Sequence, residues 1–213
     1  MGFTRSWARL VFVLLWAGLG WSWAQTAGAA EISVLLLNHA KVSRDLIGHA
    51  EAEAARIFSA SGIHLRWVDC SQTPVCHHVP GANEFVLSIV PDGRTSSELV
   101  YGVAFLGPGG EGKYADIFLR RVEIAAMESG FSVQRLLGAV AAHELGHLLL
   151  GTHAHSYEGI MCPVWKKAVL QRMEMGSLLF TKDQSMTMKG RLAGEPMGRF
   201  PAFTKASARG LIP

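Results

Sequence analysis

The chain has 213 residues, of which 49% are hydrophobic and 17% charged, and its formal net charge is +3 at pH 7. This length suits one domain of ordinary size with its own core. The charge is nearly balanced and there is no arginine-rich stripe or nucleic-acid-binding motif, so nucleic acid is not an expected partner.

The N-terminus has the pattern of a secretory signal peptide over residues 1–29. Arg5 and Arg9 precede a short apolar run at residues 10–19, and small residues suit cleavage after Ala24 or Ala29. An uncleaved anchor is the alternative. No later stretch is apolar for the length of a bilayer span, so we expect a secreted or periplasmic protein without a stable membrane span after cleavage. The basic charge then means little, because 18 basic residues face 17 acidic ones once the two arginines are removed.

Three cysteines bear on the redox state of the chain. Cys70 and Cys76 flank a loop of five residues, and an exported setting favours a disulfide between them. Cys162 is left over. We expect it to be a buried thiol, although an intermolecular bridge or a soft ligand near a metal are alternatives.

The first half of the chain predicts alternating strands and one long helix. An apolar run at residues 31–38 is typical of a strand buried on both faces. Residues 43–60 carry a helical apolar stripe that Ser43 can cap, and residues 63–69 alternate as a second strand. Strand, helix and strand in this order predict a parallel pair.

Three further strands are predicted at residues 85–90, 99–106 and 114–119, the last two joined by a glycine-rich loop. The pattern of this loop does not indicate a phosphate-binding site, because it lacks a Gly-Lys-Ser or Gly-Lys-Thr ending and no helix is predicted directly after it.

The stretch that carries chemistry is Ala-Ala-His-Glu-Leu-Gly-His-Leu-Leu-Leu-Gly, on a helix that Ser132 can cap and Gly151 can end. His143 and His147 are four residues apart, so on a helix they share one face, where two imidazoles can bind one zinc ion. Glu144 lies beside the first histidine, where it can take a proton from water. The alternative is a buried amphipathic helix that carries two structural histidines.

Two more histidines and a methionine follow the helix. His153 and His155 lie shortly after Gly151, and Met161 ends a Gly-Ile-Met sequence. Pro163 and Trp165 should wall the site in a packed loop. A helix over residues 182–192, capped by Thr181, is predicted near the end of the chain, with residues 193–213 as a flexible tail.

On these residues the chain resembles the metzincin clan of zinc endopeptidases, within it the matrixin-like branch, and also a group of exported bacterial peptidases with the pattern His-Glu-x-Gly-His-Leu-Leu-Leu-Gly, then His-Ser, then Gly-Ile-Met. The resemblance implies an α+β, zincin-like fold. It implies a twisted mixed sheet, a long helix, an active-site helix and a short C-terminal subdomain whose Met-turn holds Met161 beneath Zn²⁺. A single catalytic domain would span residues 30–192.

The third metal ligand is where the chain departs from the clan. The metzincin pattern places glycine seven and histidine ten residues after the first histidine, positions that are Leu150 and His153 here, and the glycine is displaced to Gly151. His155 fits the exported bacterial group, in which the third histidine comes four residues after the glycine. After the displaced glycine, a segment of four residues suits the path of the chain back to the metal better than a segment of two. We therefore favour His155 and keep His153 as the alternative. Glu158 and Glu174 are the candidates if the third ligand were a carboxylate.

We therefore expect an exported zinc endopeptidase that hydrolyses peptide bonds with zinc-activated water and Glu144 as the general base. Its partner would be a peptide or protein substrate, the chain itself would be a monomer, and the strand at residues 114–119 is our hypothesis for an edge that aligns an extended peptide. Two alternatives stay open: a non-catalytic zinc-binding or peptide-binding module, closed by Cys162 as fourth ligand, and a zinc hydrolase of a non-peptide amide or ester.

Overall fold

The computed structural model describes residues 30–70, 76, 78–93 and 100–194 of the chain. The predicted signal peptide, and residues 195–213 of the predicted tail, lie outside these described residues. Ten helices and strands lie within them: β1 Ala30–Asn38, α1 Arg44–Ser59, β2 Ile63–Asp69, β3 Glu84–Val90, β4 Gly102–Phe105, β5 Tyr114–Phe118, α2 Leu119–Ser129, α3 Val133–Leu150, α4 Lys167–Glu174 and α5 Lys182–Leu192. Across the same ranges, no helix combines the length and the apolar character that a membrane crossing needs.

The strands form one mixed sheet in the order β2-β1-β3-β5-β4. Among the described strands, β1 pairs in parallel with β2 and with β3, β3 pairs in parallel with β5, and β4 runs antiparallel to its neighbour β5. The fold is therefore mixed α+β, as predicted. β1 lies inside the sheet between β2 and β3, and its residues Ile32 to Leu36 are buried on both faces, which explains their nearly continuous apolar run.

The edge strand next to the candidate site is β4, and our hypothesis of an edge at residues 114–119 was wrong. β5 lies inside the sheet, paired on one side with β3 and on the other with β4. Ala115, Ile117 and Phe118 are all buried, as an interior strand requires, whereas β4 is short and half-exposed at Phe105. Leu119, predicted to end this strand, begins α2 instead.

Helices α1 and α3 pack against each other and against the sheet. The two helix backbones approach so closely at Gly138 that a Cβ there would lie 2.5 Å from the carbonyl oxygen of Ala50. Every residue of α3 from Leu136 to Leu150 is buried. The helix is therefore enclosed on all sides, and not on one face as its apolar stripe suggested, because the sheet, α1 and the C-terminal helices each cover part of it.

Local signals explain which of the other elements were predictable. α5 has the predicted bounds, and a capping box joins Thr181 and Gln184 at its start. The disulfide between Cys70 and Cys76 is present, and Cys162 is a buried free thiol. α2 and α4 were not predicted from the sequence, and neither has a side chain that caps its N-terminus.

Candidate metal centre

Helix α3 places the two motif histidines and the glutamate in the interior. Its start is fixed by Ser132, whose hydroxyl accepts a hydrogen bond from the amide of Arg135 at 3.3 Å. Its end is fixed by Gly151, which has φ 66° and ψ 34°, a left-handed conformation that glycine adopts without strain. Both predicted boundaries are therefore confirmed.

Each of the two histidines is oriented by a backbone carbonyl. His143 Nδ1 lies 2.8 Å from the carbonyl oxygen of Ile160, and His147 Nδ1 lies 2.8 Å from that of Thr152. A carbonyl oxygen only accepts, so Nδ1 carries the proton on both rings and Nε2 keeps a free lone pair. This is the tautomer that a metal-binding histidine needs.

The two Nε2 atoms lie 3.0 Å apart. Burial lowers the pKa of His143 to about 3 and that of His147 to about 4, so neither ring is protonated at neutral pH. Two lone pairs therefore face each other with no proton between them, which is unfavourable without a cation. A tetrahedral zinc ion holds two imidazole nitrogens about 3.3 Å apart, so this spacing fits the metal.

A third histidine completes the group. One ligand atom from each of His143, His147 and His155 lies within 4.8 Å of the others. The ring of His155 stacks on that of His143, with 5.4 Å between centroids, and meets His147 edge-on at 4.9 Å. Three neutral nitrogen donors with no carboxylate among them are typical of zinc.

The other candidates for ligation lie outside this group. His153 is exposed, with its ring 6.0 Å from that of His147. Glu174 instead pairs with Arg135 and accepts the amide of Ser132 at the start of α3. Neither Glu158 nor Cys162 belongs to the three-histidine group found among the described residues.

Glu144 is only 5% exposed, and burial raises its pKa to about 8. In the parts of the chain that the structure describes, no donor forms a hydrogen bond to its carboxylate. The side chain lies against β4, with Oε1 near the backbone of Gly102. A cation in the adjacent three-histidine group would favour the ionised carboxylate and lower this pKa.

Met161 packs against α3 at Gly146, which lies between the two histidines in sequence. It belongs to a tight turn in which the amide of Cys162 donates to the carbonyl of Gly159 at 3.4 Å. Its side chain is 1% exposed, and its Sδ lies where a Cβ on Gly146 would be 2.8 Å away. The same turn supplies the Ile160 carbonyl that orients His143, so the position of the turn and the orientation of the His143 ring are coupled.

A cavity of about 200 Å³ opens beside the three histidines. Trp165 and Pro163 line it, as predicted, and Tyr101 and Gly102 also contribute to its lining. Trp165 stands edge-on to His143, with 5.7 Å between ring centroids, and donates its Nε1–H to the carbonyl of Cys162 at 3.2 Å. Tyr101 and Gly102 were not predicted as site residues, because no local pattern marks them and they are remote from the motif in sequence.

No model of a known protein family matches the chain, and no curated protein matches it significantly. Among solved structures, the chain is similar to a zinc-dependent peptidase from Methanocorpusculum labreanum, with 15% identity and a TM-score of 0.48 over 73% of this chain and 99% of that one. It is similar to archaemetzincin from Methanopyrus kandleri, with 14% identity and a TM-score of 0.46 over 79% of this chain and 98% of that one. It is also similar to myroilysin, with 15% identity and a TM-score of 0.34 over 61% of this chain and 53% of that one. These similarities are weak, so the chemistry has to be judged from the site's own atoms.

Proposed function

We propose that this chain is an exported zinc-dependent endopeptidase, with His143, His147 and His155 as the metal ligands and Glu144 as the general base. The observation that carries the proposal is the convergence of unprotonated Nε2 atoms 3.0 Å apart on α3, with a third imidazole beside them. A purely structural zinc site needs no carboxylate at this position and is usually closed by four protein ligands, so the buried glutamate beside three histidines favours a catalytic site.

The chain's own residues divide the work of hydrolysis. Bound zinc supplies Lewis acidity, which polarises the scissile carbonyl and acidifies water. Glu144 accepts the proton of the attacking water and then passes it to the leaving amine. The apolar walls at Trp165 and Pro163 limit the water around the reacting groups, which strengthens electrostatic interactions there.

Strand β4 is the segment that could align an extended peptide. It is an edge of the sheet, and it also lines the cavity through Gly102, Val103 and Ala104. Among the described strands β4 pairs only with β5, so its other side can add a strand, which would hold the substrate backbone across the histidine group.

The alternative third ligand, His153, lines the same cavity from an exposed position. We assign ligation to His155 because its nitrogen lies with those of the other two histidines, and we assign Met161 as the packing floor of the site. A closed site with Cys162 as fourth ligand is less favoured, since that thiol is not part of the three-histidine group in the described residues.

The test combines zinc content with cleavage of a peptide library by wild type and Glu144→Ala. We expect about one zinc per chain in both proteins and cleavage by the wild type alone. Zinc in both proteins with cleavage by neither would refute the peptidase function.

The third ligand is tested by a matched pair of variants. We expect His155→Ala to weaken zinc binding by roughly 100-fold or more, and His153→Ala to leave it within a fewfold of wild type. The reverse order would transfer the assignment to His153. N-terminal sequencing of the protein recovered outside the cytoplasm would locate cleavage after Ala24 or Ala29, and recovery of the intact N-terminus would refute the signal peptide.

A further inference from the structure

The Glu144 carboxylate must point at one place to act as a base, yet hydrogen bonds do not hold it there. Among the described residues, no backbone or side-chain donor reaches its oxygens. The two neighbouring histidines differ in this respect, since each is fixed by a backbone carbonyl. The orientation of Glu144 therefore has to come from packing.

The packing partner is the backbone of Gly102 on β4. A Cβ added to Gly102 would lie 2.8 Å from Cγ of Glu144 and 2.9 Å from its Oε1. A Cβ atom essentially never makes contacts this short, so the glutamate occupies the space that a side chain at position 102 would fill. Glycine here leaves a slot between α3 and the edge strand.

Neither wall of the slot can move easily. The same added Cβ would lie 2.7 Å from the carbonyl oxygen of Asp116 on the paired strand. The backbone carbonyl of Tyr101, next to Gly102, accepts a hydrogen bond from the amide of Phe118 at 2.8 Å, which ties the start of β4 to the end of β5. On the other side α3 is buried throughout. The Glu144 side chain is the part that would give way.

We propose that Gly102 is a positioning residue whose missing side chain sets where the Glu144 carboxylate points. Gly102 acts on the reaction through Glu144 and contacts no metal ligand in this role. The inference rests on the proposed function for its consequence in catalysis, but the steric coupling of the two residues can be measured without it.

The first experiment compares Gly102→Ala with Gly48→Ala. Gly48 lies in α1 with nothing within 4 Å of an added Cβ, so it is a control for the same substitution. Displacing a catalytic group by about 1 Å can cost roughly 100-fold in rate. We expect Gly102→Ala to keep the wild-type zinc content, to lose about 100-fold in kcat and to change KM by less than about threefold, while Gly48→Ala keeps wild-type kcat. A kcat within about twofold of wild type for Gly102→Ala would overturn the proposal.

The second experiment is a double-mutant cycle in the metal-free protein. Gly102→Ala should lower Tm in both backgrounds through the contact with the Asp116 carbonyl, and by roughly 2 °C more when residue 144 is glutamate than when it is alanine. An equal fall in Tm in the two backgrounds would overturn the proposed steric coupling between Gly102 and Glu144. If Gly102→Ala alone does not fold, a folded double variant supports the slot and an unfolded one overturns it. The cycle also separates the two proposals, since coupling in a protein that cleaves no peptide refutes the peptidase and retains the slot.

Discussion

The substitution Glu144→Gln in the metal-free protein tests the electrostatics of the site directly. Burial raises the Glu144 pKa from 4.5 to about 8, so between these values the folded state binds more protons than the unfolded state. The stability of the wild type should therefore fall as pH rises through this window. Glutamine keeps the shape of the side chain and has no charge to bury, so the variant should not show this loss.

The size of the effect follows from the same two pKa values. One pKa unit corresponds to about 1.4 kcal/mol, and at pH 7 the unfolded glutamate is ionised whereas the folded one is mostly protonated. The penalty at pH 7 is then about 3 kcal/mol, and it vanishes below about pH 4.5. The lowered pKa values of His143 and His147 act in the opposite direction, with stability lost as pH falls below 6.5, but they are common to both proteins and cancel in the difference.

The assay is urea unfolding of chelator-treated protein at several pH values. We expect the Glu144→Gln variant to match the wild type near pH 4.5 and to exceed it by about 3 kcal/mol at pH 7. The exposed Glu123 on α2 provides the control, because Glu123→Gln changes a carboxylate that is hydrated in both states. A difference between Glu144→Gln and wild type that does not grow with pH would refute the view that the buried carboxylate carries this cost.

Four further predictions follow from the contacts around the site. Gly146→Ala should lower the free energy of unfolding by about 1–3 kcal/mol, because its Cβ would lie 2.7 Å from Phe180 and 2.8 Å from Met161 Sδ. Chemical denaturation measures this change, with Gly48→Ala as the control, and equal stability of the two variants would contradict the prediction. Cys162→Ala should keep wild-type zinc affinity in a competition titration with a chromophoric chelator, and a loss of zinc would revive the closed four-ligand site. Zinc content should change little between pH 7 and pH 5.5, since burial lowers the pKa of all three proposed ligands, that of His143 to about 3 and that of His147 to about 4; release beginning near pH 6.5 would show ordinary imidazoles. Replacing both bridged cysteines by alanine should cost about 2 kcal/mol for so short a loop, and an unchanged Tm would exclude a stabilising role for the bridge.

Several features of the site could be predicted because they are local in sequence. Helical periodicity places residues four apart on one face, so the pairing of His143 and His147 could be predicted once α3 was recognised as a helix. Ser132 as N-cap and Gly151 as left-handed C-terminal residue mark the ends of that helix. The turn geometry after Gly151 also favoured His155 over His153, and the structure places His155 with the other two histidines.

Other features could not be predicted, because they join residues that are distant in sequence. The interior place of β5 and the edge position of β4 depend on which strand inserts beside β3, and neither strand's own pattern specifies that choice. The full enclosure of α3 likewise depends on elements that pack around it from both ends of the chain. Helices α2 and α4 could not be predicted because neither has an N-terminal capping side chain that marks the start of a helix in the sequence.

The sequence by itself therefore indicated the helix face that carries His143 and His147, the neighbouring Glu144 and a third histidine after Gly151, since all of these follow from backbone geometry within a few residues. Only the tertiary structure decided how those groups are aimed. The carbonyls of Thr152 and Ile160 fix the two imidazoles, and the bare backbone of Gly102 leaves room for Glu144. The aim of the glutamate is set by packing between a helix and a strand, which depends on the whole fold and on no single stretch of the chain.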